Sequence, residues 1–181
     1  MAAVLGLVGL GAAALVLRHR PPAVPHVTAI RQLTRDGTGK DLVHTDGTRV
    51  YYSAFTPGGS DRLLQAPVTG GDSVPLETPF RRPYIHDILP SRNQLLVEDD
   101  VRLAAADPLW SLSTTGGSPR PLGGIEAHQS AWSANGQRIV FANGRDIFIA
   151  GNDGSGSRRL LTAPARVLCP RLSPDGRRLR Y

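Results

Sequence analysis

Two histidines stand at the same distance from a serine: His86 lies five residues before Ser91, and His128 five residues before Ser133. An imidazole carries a lone pair and a proton that dissociates near neutral pH. Two of them converging on one face could hold an anion or a metal ion. The place at the same distance before Ser173 is Leu168, so the series stops there. The competing role is a histidine that hydrogen-bonds the backbone of its own sheet, and it is the preferred one. His86 and His128 are therefore the candidate ligand-facing residues, with no catalytic role assigned. Other groups carry less. Gly71-Asp72-Ser73 sets a hydroxyl beside a carboxylate, but Gly117-Ser118 and Gly154-Ser155 recur at corresponding places, which marks a turn. The chain contains no Gly-x-Ser-x-Gly elbow and no phosphate-binding loop. Glu98-Asp99-Asp100 lacks the alternating oxygen ligands of a calcium loop and reads as a solvated loop. Trp110 and Trp132 could stack on a ligand, but at strand positions they read as core. Cys169, the only cysteine, excludes an internal disulfide and a Cys-based metal site. It is expected to be a small buried apolar residue. No catalytic residue, metal site or cofactor is assigned.

The elements that must position these groups repeat. Ala131 to Phe141 reads as strand, tight turn, strand, with an aromatic, a Ser-x-Asn-Gly turn and alternating polar and apolar residues. The turn cores are His44-Thr45-Asp46-Gly47, Ser91-Arg92-Asn93, Ser133-Ala134-Asn135-Gly136 and Ser173-Pro174-Asp175-Gly176. From 44 to 91, 91 to 133 and 133 to 173 the spacings are 47, 42 and 40 residues. Asp-Gly and Asn-Gly supply the positive φ that tight hairpins need. A β-rich run follows each turn, and then a second hairpin, clearest at Asp146–Ala150 and Arg158–Leu161 around Asn152-Asp153-Gly154. Two hairpins per unit at this period match the four-stranded blade of a β-propeller better than a generic β-sandwich. Twenty Gly and fifteen Pro suit such a turn-dense chain. The expected fold is all-β: a partial β-propeller of about three four-stranded blades plus the start of a fourth.

Three segments result: residues 1–20, 21–29 and 30–181. Ala2 to Leu17 are apolar or glycine, and Arg18-His19-Arg20 follow. That run is expected to be a transmembrane helix, with a cleaved signal peptide or a buried helix as alternatives. Pro21, Pro22 and Pro25 make a semi-rigid linker, and 30–181 hold the repeats. Arginines placed after the helix would put the propeller in the cytoplasm by the positive-inside rule. The net charge is +6 with one lysine, and the arginines are scattered among acidic residues. That pattern reads as a solvated surface, and nucleic-acid binding by this chain is not expected.

Ala131 to Phe141 and Arg171-Leu172-Ser173-Pro174-Asp175-Gly176-Arg177-Arg178-Leu179 resemble the propeller repeat of TolB and its relatives, also called the WD40-like or PD40 repeat. The match runs from about Arg31 to Tyr181 and implies fold rather than function. The apolar helix, the linker, Gln32-Leu33-Thr34 and Thr45-Asp46-Gly47-x-Arg49-Val50-Tyr51-Tyr52 are similar to a bacterial regulator family. There a winged-helix DNA-binding domain precedes one membrane helix and an extracytoplasmic propeller. No winged helix precedes the helix in this chain, so that resemblance implies an internal start at Met1. What it implies is a non-catalytic, membrane-anchored binding or sensor module of a transcriptional regulator. It would sit in the bacterial inner membrane with its propeller on the extracytoplasmic side. The partner would be a protein or small ligand, with residues 2–17 in the membrane and the remaining blades supplied by a longer chain or another copy. The alternatives are the propeller of a prolyl-oligopeptidase-like serine peptidase and a TolB-like periplasmic scaffold.

Overall fold

The computed structural model describes residues 26–55, 61–100 and 106–181. The expected membrane helix at 1–20 and most of the linker lie outside the described residues, among which no helix is long and apolar enough to cross a membrane. The chain divides into residues 1–31 and 32–181. Of the first unit, 26–31 are described and are exposed.

The second unit is built of strands. The first sheet comprises β1 (Gly39–Thr45), β2 (Arg49–Phe55), β3 (Arg62–Pro67) and β4 (Val74–Leu76). The second comprises β5 (Pro83–Leu89), β6 (Gln94–Asp99), β7 (Asp107–Ser113) and β8 (Arg120–Ala127). The third comprises β9 (Gln129–Trp132), β10 (Arg138–Asn143), β11 (Asp146–Gly151) and β12 (Arg158–Thr162), and β13 (Arg171–Leu172) with β14 (Leu179–Arg180) starts a fourth. Within each sheet the strands follow sequence order, antiparallel throughout. This is the arrangement expected for a partial propeller.

Turn chemistry explains the recurring motif. Ser133 N–H donates to Arg138 O at 2.8 Å, and Arg138 N–H donates to Ser133 Oγ at 3.0 Å. Gln137 N–H donates to Asn135 Oδ1 at 3.1 Å, and Gly136 takes φ 63°. The fourth sheet repeats this with Ser173, Asp175, Gly176 (φ 69°) and Arg178. Serine closes the hairpin, Asn or Asp caps its tip, and glycine supplies the left-handed residue. The second sheet solves the same problem differently, with a single 3-10 turn at Pro90–Arg92 that ends on left-handed Asn93.

Alternation along each second strand divides the core between two seams. Leu95 and Val97 pack toward the first sheet with Tyr51, Leu63 and Leu76. Leu96 faces the third sheet, where it joins Leu122, Ile139 and Phe141. Trp132 is buried in that seam and Trp110 is half-buried in the other, so both are core as expected. A Cβ added to Gly123 would lie 2.8 Å from the Gly154 backbone, so the seam is a direct backbone-on-backbone approach.

Two expectations fail. Cys169 is exposed, not buried, because it sits in the left-handed region (φ 49°) of the loop leading into β13. Glu98 is not in a solvated loop: β6 continues through it and turns its side chain inward, leaving it 3 % exposed.

Candidate functional site

The first strands of successive sheets, β1, β5, β9 and β13, lie side by side. Register fixes which of their residues correspond. His44 pairs with Tyr51, Asp87 with Leu96, Ala131 with Val140 and Arg171 with Arg180. These four form one row, and Asp87 ties it together. Its Oδ1 lies 4.0 Å from His44 Nδ1, and its Oδ2 accepts Trp132 N–H at 2.8 Å. Arg171 Nη1 approaches Oδ2 at 3.1 Å, off the hydrogen-bond direction, while Nη2 donates to His86 O at 3.4 Å. One carboxylate on the second sheet thus meets groups from all three others. Burial pushes the Asp87 carboxyl up against the pull of Arg171 and Trp132 N–H. Burial likewise pushes His44 down against the pull of Asp87.

Two positions further along the partner strands, Asp41, Tyr84 and Gln129 form a second row, Asp41 pairing with Ser53, Tyr84 with Glu98 and Gln129 with Ala142, with one bulge residue absorbed in each of β1 and β5. Gln129 Nε2 donates to Tyr84 Oη at 3.2 Å, and Cys169 Sγ lies 3.6 Å from Gln129 Oε1. Side chains two apart share a strand face, so both rows belong to one polar strip.

His86 is held beneath this strip. It is the extra residue of a β-bulge in β5 between Ile85 and Asp87. A bulge redirects a side chain, and here it places the imidazole between two sheets. Nδ1 contacts Ser130 Oγ of β9 at 2.9 Å, and Nε2 lies 3.2 Å from Glu98 Oε1 without hydrogen-bond alignment. The Tyr84 ring meets it edge-on at 5.3 Å. Glu98 Oε2 is buried without a partner among the described residues, and burial pushes this carboxyl up despite the neighbouring imidazole. Serine, imidazole and carboxylate stand in contact, but all three are buried. A nucleophile must reach its substrate, so the trio acts as an internal polar tie between sheets.

His128 lies elsewhere. Its Nε2 meets Val167 O at 2.8 Å, and Gly144 N–H donates to Nδ1 at 3.3 Å. The second bond makes Nδ1 an acceptor and Nε2 the donor, a neutral tautomer; burial pushes this imidazole down. Bonding to the backbone of its own sheet is what the preferred reading expected, with the Val167 bond added. The matching distance to serine proves misleading. Asp99 in β6 corresponds to Asn143 in β10, so Pro83, not His86, holds the place of His128. The bulge and the different turn of the second sheet produced the false equivalence. Of the two candidates, His86 touches the strip and His128 does not.

Sequence reasoning missed His44, Asp87, Arg171 and Ser130. Aligning repeats on the apolar runs after the turns (Leu95, Ile139, Leu179) would have put Asp87 and Arg171 in one row, whereas His44 would still be missed, because the turn between β1 and β2 is two residues shorter than that between β9 and β10. Ser73, read as a turn residue, accepts the Tyr52 hydroxyl at 2.5 Å beside the β3–β4 turn. Among the described residues no group of three His, Cys, Asp or Glu side chains could hold a metal ion.

No family model matches this sequence, and no curated protein does. Solved structures do. A candidate TolB from Agrobacterium tumefaciens is 25% identical with a TM-score of 0.55, over 70% of this chain and 47% of that one. TolB from Acinetobacter baumannii is 15% identical with a TM-score of 0.57, over 74% and 34%. A chain of the nidogen/laminin complex is 12% identical with a TM-score of 0.52, over 67% and 46%. The chain thus matches less than half the length of each. The fold is TolB-like, a partial β-propeller.

Proposed function

We propose that this chain is a non-catalytic recognition module in which a propeller scaffold presents the strip along its first strands to a protein or small-ligand partner. The observation that carries this reading is Asp87, a half-buried carboxylate meeting His44, Trp132 N–H and Arg171 from three other sheets. Buried charges are costly unless paired, and rigid elements that hold them in register make a preorganised polar surface. The finer reading keeps residues 2–17 as a membrane anchor and the propeller as the extracytoplasmic sensor of a transmembrane regulator. A periplasmic scaffold is the second reading, favoured by the likeness to two TolB structures.

Cys169, exposed and beside Gln129, offers a single handle for the test. A photo-crosslinker on its thiol, in cells that export the chain, is expected to give one discrete adduct that Arg171→Glu removes. The chain should remain with the membrane fraction, and removing residues 2–17 should release it. Labelling spread over many proteins and unchanged by Arg171→Glu would overturn the recognition reading. Release without that deletion would favour the scaffold over the anchored sensor.

A further inference from the structure

The chain holds two Asn-Gly pairs, Asn135-Gly136 and Asn143-Gly144, and both lie at hairpin turns of the third sheet. An asparagine followed by glycine can react with its own backbone. The glycine nitrogen attacks the side-chain amide carbon, and no Cβ obstructs the approach. Two things decide whether it does: whether the side chain is free, and what takes the proton from the nitrogen. The two pairs differ in both.

Asn135 is locked. Its Oδ1 accepts the Ser133 hydroxyl at 2.8 Å and Gln137 N–H at 3.1 Å. Gly136 N–H donates to Ser133 O at 2.8 Å, a carbonyl that takes up no proton at neutral pH. Asn143 is exposed, and its side-chain amide has no hydrogen-bond partner among the described residues. It pairs with Asp146 across a two-residue loop whose first residue, Gly144, is left-handed (φ 62°). Gly144 N–H donates to His128 Nδ1 at 3.3 Å, so the lone pair of a base faces the nitrogen that would attack. Val167 fixes this arrangement from both ends: its O accepts His128 Nε2–H at 2.8 Å, and its N–H donates to Gly144 O at 3.1 Å. Burial pushes the imidazole down against the Val167 bond, with Arg166 and His86 adding to the effect, which keeps Nδ1 unprotonated at neutral pH. The contacting residues lie between 128 and 167, within the third sheet and the segment directly after it.

We propose that Asn143 is a self-modification site, at which His128 is the base that promotes loss of the side-chain amide. His128 Nδ1 takes the proton of Gly144 N as that nitrogen bonds to Asn143 Cγ. The Cγ–Nδ2 bond breaks, and the imidazolium returns the proton so that ammonia leaves. Water then opens the five-membered imide at either carbonyl, leaving aspartate or isoaspartate. The product sets a carboxylate opposite Asp146, which already faces Arg159 at 3.6 Å. The site stands whether or not the strip binds a partner.

The test is peptide mapping by mass spectrometry of the full chain incubated near neutral pH, with isoaspartate scored at both pairs. Asn143 should convert about tenfold or more faster than Asn135. In urea, where the fold is lost, the two should convert at similar rates. His128→Gln removes the base and loosens the loop. A purely structural histidine would then let Asn143 react faster, whereas loss of the base should slow it about tenfold or more and leave Asn135 unchanged. Circular dichroism confirms that the variant folds. Equal rates at the two pairs in the folded chain, or an unchanged or faster rate at Asn143 in the variant, would overturn the proposal. So would a difference that persists in urea, which would place its cause in the local sequence.

Discussion

At the seam between the second and third sheets the buried side chains are Leu122, Ala127 and Ile139, apolar and fully enclosed. A few residues away, where β5 meets β9, the buried side chains are His86, Glu98 and Ser130. The seam gains from every apolar group removed from water, about 25 cal/mol per Å². The polar strip gains little, because what its groups win from each other they lose in hydration. The seam supplies most of what holds the array together, and the polar groups tie neighbouring sheets at little net gain. A scaffold that keeps ionisable groups where apolar ones would fit is spending stability on something other than folding.

Substitutions at the seam should hurt most. Gly154 has φ 87°, and a Cβ there would overlap the Leu122 backbone. Gly154→Ala is expected to cost about 3 kcal/mol or more, from strain added to overpacking, read as a fall in the urea midpoint. Leu122→Ala should cost about 3 kcal/mol by cavity formation. A loss below about 1 kcal/mol in either would mean the seam is looser than its backbone contact implies.

The strip should respond less. Ser130→Ala leaves His86 Nδ1 buried without its partner and should cost about 1–3 kcal/mol. An unchanged midpoint would show that water replaces the hydroxyl.

Titration should separate the apolar seam from the buried ionisable groups, in the strip and outside it, without any substitution, since apolar seams carry no protons. His44 and His128 are both pushed down by burial. The unfolded chain then binds protons first, so their stability is present above pH about 6.5 and is lost as pH falls toward the folded values. Asp87 and Glu98 are pushed up by burial. Their contribution is full below the ordinary carboxylate range and is lost as pH rises through the folded values. Urea midpoints measured downward from pH 7.5 should first decline. The double variant His44→Gln/His128→Gln should remove that decline, and persistence of it would assign the effect elsewhere.

The turns should matter least. Asn135→Ala removes an exposed tip acceptor and should cost about 0.5–1 kcal/mol.

The sheets were legible because their signals are local. Alternation sets strand faces, and Ser-x-Asn-Gly sets hairpins; both act within about ten residues. The strip was not, because it depends on pairing between strands far apart in sequence. His86 became visible by chance of counting, and His128 by a miscount that the β5 bulge and the different turn of the second sheet caused. Nothing in the run from Tyr84 to Leu89 announces that bulge. Glu98 misled for a related reason: its acidic neighbours Asp99 and Asp100 disguised a strand residue whose facing partner is an imidazole.

The most direct test asks what the strip is for. His44→Gln, Asp87→Asn and Arg171→Gln together remove its ionisable groups while keeping hydrogen-bonding side chains. Urea unfolding of this triple variant at pH 7 should give a stability within about 1 kcal/mol of the parent, as for charge sets that roughly balance their own desolvation. A loss of about 3 kcal/mol or more would show that the charges hold the sheets together, and would contradict their retention for recognition.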